Sequence, residues 1–312
     1  MNMTASWIFA ALSAVFSSSF GGQATQPPID PAQQTFHSSV DLVTIQASVR
    51  DSRGRPMKGL TPSDFEIRDN GQLRSILSLH SDLRSPVSLA ILVDMSGSMR
   101  VGSKIAMARQ AFDSILGQLR DGEDEVALLA FDSALHERQD FTRDLARLRG
   151  GLSDFKAFGT TSLYDATAAT ARRLAGRPAT HKAIIVLTDG IDTSSTLNAA
   201  EVSGLASSID VPVYVVATVP SLDQRAMLEV ADRVPRSDSA DLRDLAAWTG
   251  GQFVFASTFT ETIVAASSLV DGLRQQYVLA IEAAGAHEWR RLDIRIKRAT
   301  AIVKARSGYF GG

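Results

Sequence analysis

The sequence predicts a doubly wound, mainly parallel α/β sheet inserted into a small β-sandwich that both chain ends build together. Three observations lead there. Short continuous apolar runs alternate with amphipathic helical stripes through the middle of the chain, segments of alternating apolar and polar residues flank that middle, and no low-complexity linker separates the blocks. Continuous apolar runs suit strands covered on both faces, whereas alternation suits strands with one wet face.

The first β block spans residues 40–84. Val43, Ile45, Ala47 and Val49 alternate with polar positions, and Asp51 to Gly54 followed by Pro56 is turn chemistry. Residues 65–69, Asn70-Gly71 and residues 73–79 read as a hairpin, because Asn-Gly tolerates the positive φ angles of a type I′ turn. The α/β block spans 85–275. Its strands are expected at 87–93, 126–131, 183–187 and 211–216, with residues 135–141 as one antiparallel edge. Ile105, Ala108, Phe112, Ile115, Leu116 and Leu119 share a helical face, and similar stripes run through 166–174, 200–209, 242–248 and 263–273. Strands alternating with helices argue for a sheet covered on both sides. The second β block, 276–312, carries strands at 277–281, 292–296 and 302–305.

The chain has 312 residues, a formal net charge of −2 and no cysteine. Disulfides, thiolate zinc sites and a cysteine nucleophile are thereby excluded. A near-neutral chain without a basic stripe argues against a nucleic-acid partner. Residues 7–16 form an apolar run, followed by small and polar residues up to Gly22-Gln23-Ala24 and then Pro27, Pro28 and Pro31. This pattern predicts a signal peptide over 1–24 and a disordered linker over 25–39, although no Lys or Arg occurs before Arg50. The run is too short to span a bilayer, which takes roughly 20 apolar residues, so no transmembrane segment is expected.

The chemistry concentrates after the first α/β strand, in Asp94-Met95-Ser96-Gly97-Ser98. Doubly wound sheets bind ligands beyond the carboxyl ends of their strands, and two further loops should reach the same edge. These are Gly159-Thr160-Thr161, ahead of a helix, and Thr188-Asp189-Gly190, after a strand. Asp94, Ser96, Ser98, Thr161 and Asp189 make an all-oxygen donor set, which favours Mg²⁺, Mn²⁺ or Ca²⁺ over zinc or copper. Either Thr160 or Thr161 can serve, and the spacing to Leu163-Tyr164-Asp165 favours Thr161. A Ser or Asp before a helix is usually an N-cap, but capping does not require three loops to converge. Asp165 reads as holding its loop or capping a helix, Asp192 as a surface residue or one supporting the ligands from behind, and Asp132 as a turn residue.

Asp-x-Ser-x-Ser, a threonine in a Gly-Thr loop and Asp-Gly after a strand resemble the metal-ion-dependent adhesion site of von Willebrand factor type A (VWA) domains, whose fold is Rossmann-like. The flanks, including Gly59-Leu60-Thr61-Pro62, Asp69-Asn70-Gly71 and Gln276-Tyr277-Val278-Leu279, resemble exported bacterial VWFA-related proteins of the acidobacterial type. The resemblance implies that Ser96 and Ser98 coordinate the cation directly, that Asp94 and Asp189 act mainly through water, and that Thr161 joins in a high-affinity state. The remaining position would take an Asp or Glu carboxylate of a protein partner. The expected function is therefore extracytoplasmic, cation-dependent protein binding without catalysis. The alternative is a metal-dependent hydrolase of phosphoryl or ester substrates, which a basic cluster or a histidine beside Asp94 and Asp189 would favour. The loops themselves hold neither, and His37, His80, His136, His181 and His287 are scattered, mostly as surface residues. No Walker or Gly-x-Gly-x-x-Gly loop follows the first strand. Ser153 and Lys156 match one penicillin-binding motif without its companions.

Overall fold

The computed structural model describes residues 42–81, 85–154, 156–179, 181–190, 192–219, 241–285, 288–297 and 301–311. The signal peptide and linker expected over 1–24 and 25–39 lie outside these. The N-terminal block supplies β1 (Leu42–Arg50), β2 (Phe65–Asp69), β3 (Gln72–Arg74) and β4 (Ile76–His80). The middle block runs β5 (Val87–Asp94), α1 (Lys104–Leu116), β6 (Glu125–Phe131), β7 (Leu135–Thr142), α2 (Leu163–Ala175) and β8 (His181–Thr188). It continues with α3 (Ala199–Ser208), β9 (Val213–Thr218), α4 (Leu242–Trp248), β10 (Phe253–Ala256) and α5 (Phe259–Arg274). The C-terminal block gives β11 (Gln276–Glu282), β12 (Trp289–Ile296), β13 (Ile302–Ala305) and β14 (Gly308–Phe310).

The central sheet has the order β10-β9-β8-β5-β6-β7, with β7 antiparallel to β6 and the other pairs parallel. Every residue of β5 is buried. Because side chains alternate along a strand, Leu89, Ile91 and Val93 enter the core under α1 and α5, while Ala90 and Leu92 enter the core under α2, α3 and α4. Helix starts follow local chemistry. Asn198 accepts from the Ala200 and Glu201 N–H groups while Glu201 reaches back to Asn198, and Asp241 and Asp244 repeat that reciprocal cap on α4.

Two four-stranded antiparallel sheets, β13-β1-β11-β4 and β14-β12-β2-β3, enclose a third core of Ile45, Ala47, Ile67, Leu279, Ile281 and Tyr309, among others. Each sheet takes strands from both ends of the chain, as the sequence predicts. One expected element differs. The hairpin arm over 73–79 breaks at Ser75, so β3 stays beside β2 while β4 crosses to β11 in the opposite sheet. Alternation lapses there, with Arg74-Ser75 followed by Ile76-Leu77, so the sequence carries a local sign of the corner that the Asn-Gly hairpin reading passed over. β10 and β14 were not expected; at four and three residues they are too short for periodicity to register.

The α/β block and the sandwich share buried polar contacts. The Arg306 guanidinium donates to the carbonyls of Ser207, at the end of α3, and Thr44, on β1. It also faces Asp210, with Nε 3.4 Å from Oδ1. Gln276 Nε2 donates to the Tyr214 hydroxyl at 2.9 Å. Gly250 adopts φ +82°, and a Cβ there would meet the Ala305 carbonyl carbon at 2.7 Å, so this close approach of backbones requires glycine.

Candidate metal centre

Three loops meet at the carboxyl ends of β5 and β8, and direct bonds hold them together. The Gly97 N–H donates to the Gly159 carbonyl at 3.0 Å, joining the first loop to the second. Phe158 N–H donates to the Met95 carbonyl at 2.7 Å, reinforcing that join. Gly159 sits at φ +84°, a backbone angle that side chains disfavour. The second loop is tied to the segment after β8 in both directions. Thr161 N–H donates to Thr193 Oγ1 at 2.9 Å, and the Thr161 carbonyl accepts from the N–H groups of Thr193 and Ser194 at 2.9 and 3.0 Å.

Within this frame Asp94 closes β5 and is fully buried. Its Oδ1 accepts from Ser96 N–H at 2.8 Å, and its Oδ2 from Thr188 Oγ1 at 2.5 Å. Burial pushes the Asp94 carboxyl up to about 6 against those hydrogen bonds, and the nearby negative charge of Asp189 adds to the rise. Ser96 is buried and Ser98 exposed, with their hydroxyl oxygens 3.0 Å apart. Thr161 is buried, whereas Thr160 is exposed and accepts from Ser194 Oγ at 3.0 Å. Asp189 follows β8, only 2% exposed, and its Oδ1 has no hydrogen-bond partner among the described residues.

The other acidic residues hold loops. Asp192 accepts from the N–H groups of Leu163 and Tyr164 at the start of α2, and Asp165 from those of Thr196 and Leu197. Asp132 accepts from Ala134 N–H at 3.0 Å and pairs with His136 at 3.1 Å. His181 is buried at the opposite end of β8 from Asp189, so it is not one of the surface histidines.

One residue of the site was not anticipated. Although the loops hold no basic group, Lys104 reaches in from the first turn of α1, and its Nζ lies 2.9 Å from Asp189 Oδ2. Nothing in spacing singles out one lysine at a helix start. Thr193 and Ser194 were likewise missed, although the polar run 193–196 signals a structured loop. A small cleft of about 160 Å³ adjoins Asp189 and Gly190, walled by Asp241, Leu242, Arg243, Phe253 and Phe255.

The donor set suits a hard cation. Its atoms are all oxygens, one buried carboxylate oxygen is unpartnered, and a buried polar atom without a partner is costly unless something else satisfies it. Among the described residues no three His, Cys, Asp or Glu side chains cluster as a metal site, so the candidate donors here are two carboxylates supplemented by hydroxyls.

Fold and site together define a doubly wound domain with an oxygen-lined crevice at its strand ends. Residues 89–191 match the family model for the von Willebrand factor type A domain, a segment that includes all five candidate ligands. Among solved structures the chain is similar to a von Willebrand factor type A protein from Catenulispora acidiphila, at 14% identity over 87% of this chain and 74% of that one, with a TM-score of 0.48. It is also similar to BatB from Bacteroides thetaiotaomicron, at 18% identity over 60% of this chain and 98% of that one, TM-score 0.46. A mutant of the PilB minor pilin from Streptococcus sanguinis matches at 13% identity over 62% of each chain, TM-score 0.46, so this chain spans under two thirds of that pilin's length. No curated protein sequence matches. No helix among the described residues is long and apolar enough to cross a membrane.

Proposed function

We propose that this protein is a binding module that captures an Asp or Glu carboxylate of a partner protein through one divalent cation. The observation that carries this reading is the unpartnered, buried Oδ1 of Asp189 beside an all-oxygen donor set. Asp94, Ser96, Ser98, Thr161 and Asp189 would hold Mg²⁺, with Mn²⁺ or Ca²⁺ as substitutes. The ion supplies an electron-poor centre for an incoming carboxylate. The chain's own part is to keep the donors preorganised: Thr188 and the Ser96 amide fix the Asp94 carboxylate, and Thr193 and Ser194 fix the backbone of Thr161.

Binding is favoured over hydrolysis because no described histidine stands beside Asp94 or Asp189, although Lys104 reaches Asp189 and Arg243 lines the adjoining cleft. His136 is engaged by Asp132, His181 opens β8 at the far end of the sheet, and His80 ends β4 in the sandwich. The apolar run over residues 7–16 supports action outside the cytoplasm, which the N-terminal sequence of protein recovered from the cell envelope would check.

Calorimetry tests the cation. The expected result is one Mg²⁺ or Mn²⁺ per chain, with binding lost in Ser96→Ala while the far-ultraviolet dichroism stays unchanged. Absence of heat with Mg²⁺, Mn²⁺ and Ca²⁺ overturns the reading. The partner chemistry is tested on immobilised peptides carrying Asp or Glu against twins carrying Asn or Gln. Capture should require both the acid and the cation.

A further inference from the structure

Lys104 occupies the first position of α1, and no acidic residue lies in that helix's first turn. The unpaired N–H groups there give the helix end a partial positive charge, which disfavours a cation. Lys104 nevertheless points its ammonium at Asp189 Oδ2, 2.9 Å away, with its side chain 13% exposed. The pairing is one-sided: Oδ2 is compensated, while Oδ1 of the same buried carboxylate is left without a partner. A salt bridge serving only the fold would be expected to satisfy both oxygens, because a half-satisfied buried carboxylate is costly.

The charge balance shows what this arrangement does. Asp94 and Asp189 bring two carboxyl groups and Lys104 one ammonium to the same crevice, and a cation would bind both carboxyls as carboxylates. A divalent cation would then leave the loaded site with one net positive charge, whereas without Lys104 it would be neutral. We infer that Lys104 is a specificity-determining residue of the site, which weakens the hold on the cation and keeps the loaded centre positive for an anionic partner group. The inference rests on the cation-binding reading above. Lys104 acts through Asp189 and the local field; it is not itself a cation ligand.

The test titrates MgCl₂ alone into the full chain, comparing wild type with Lys104→Met, which keeps the apolar stem, Lys104→Gln and Lys104→Arg. Removing the charge should tighten Mg²⁺ binding roughly tenfold or more, given one unit charge acting a few ångströms away in a partly buried site. Lys104→Arg should bind no more tightly than wild type. In chelator the Met and Gln variants should melt below wild type, since Asp189 loses its counter-charge, and saturating Mg²⁺ should close that gap. A merely structural lysine would leave a deficit that Mg²⁺ does not repair. Sodium acetate titrated into Mg²⁺-saturated protein should bind more weakly to Lys104→Met than to wild type. Mg²⁺ affinities unchanged or weakened in both neutral variants overturn the inference alone. Absence of Mg²⁺ binding in every protein, neutral variants included, overturns the cation reading and the inference with it, while binding in the neutral variants only would support the inference.

Discussion

Asp124 and Asp189, at opposite ends of the parallel strands, are buried carboxylates with opposite hydrogen-bonding fates. At the amino ends, Asp124 is fully buried and saturated: it accepts from the N–H groups of Arg120 and Val87 at 2.6 and 3.2 Å and from the Arg274 guanidinium. Burial opposes its charge, yet those bonds, led by Arg274, hold the Asp124 carboxyl below its ordinary value. Glu125 pairs with Arg177, whereas Asp210 faces Arg306 and is nevertheless pushed up by burial. At the carboxyl ends, Lys104 pairs with Asp189, Asp94 is pushed up to about 6, and one Asp189 oxygen is unpartnered. Guanidiniums at the base lock the α/β block to itself and to the sandwich. The crevice leaves its charge partly uncompensated, and that is the end where a cation has something to gain.

The strongest way to break this comparison is at the seam. Arg306→Ala strands the carbonyls of Ser207 and Thr44 and the carboxylate of Asp210, and should cost about 3–5 kcal/mol in urea denaturation. A loss near zero would mean the base is no better satisfied than the crevice. Next in size is the cation-linked stability of the crevice. Mg²⁺ at a hundred times its Kd should add about 2.7 kcal/mol to the wild type, read as a rise in Tm, and nothing to Ser96→Ala.

Asp124→Asn tests the base by pH and should cost about 1–3 kcal/mol at neutral pH. Because the folded pKa of Asp124 lies below its unfolded one, its contribution is complete above the ordinary aspartate range. That contribution fades as pH falls through the lowered folded value. The gap between wild type and Asp124→Asn should therefore be widest near neutrality and shrink on acidification; a gap that widens in acid would contradict the assignment. The smallest effect belongs to Ser98→Ala. Ser98 is exposed, so stability in chelator should change by less than about 0.5 kcal/mol, while Mg²⁺ affinity falls measurably in calorimetry.

The alternation of Val43, Ile45, Ala47 and Val49 and the apolar run of β5 follow from one-sided and two-sided burial, and a linear pattern reports burial directly. The candidate donors Asp94, Ser96, Ser98, Thr161 and Asp189 were legible for a related reason: each lies beside a strand or helix boundary, and strand ends on a parallel sheet share one edge. Tertiary structure alone decided the rest. The corner at Ser75 coincides with a lapse of alternation, Arg74-Ser75 before Ile76-Leu77, but which sheet β4 joins is decided by its pairing with β11. Lys104 meets Asp189 across 85 residues, and Arg306 meets Thr44 across 262. Whether a charge is paired depends on which distant group the fold brings to it, and that is a property of packing rather than of neighbours along the chain.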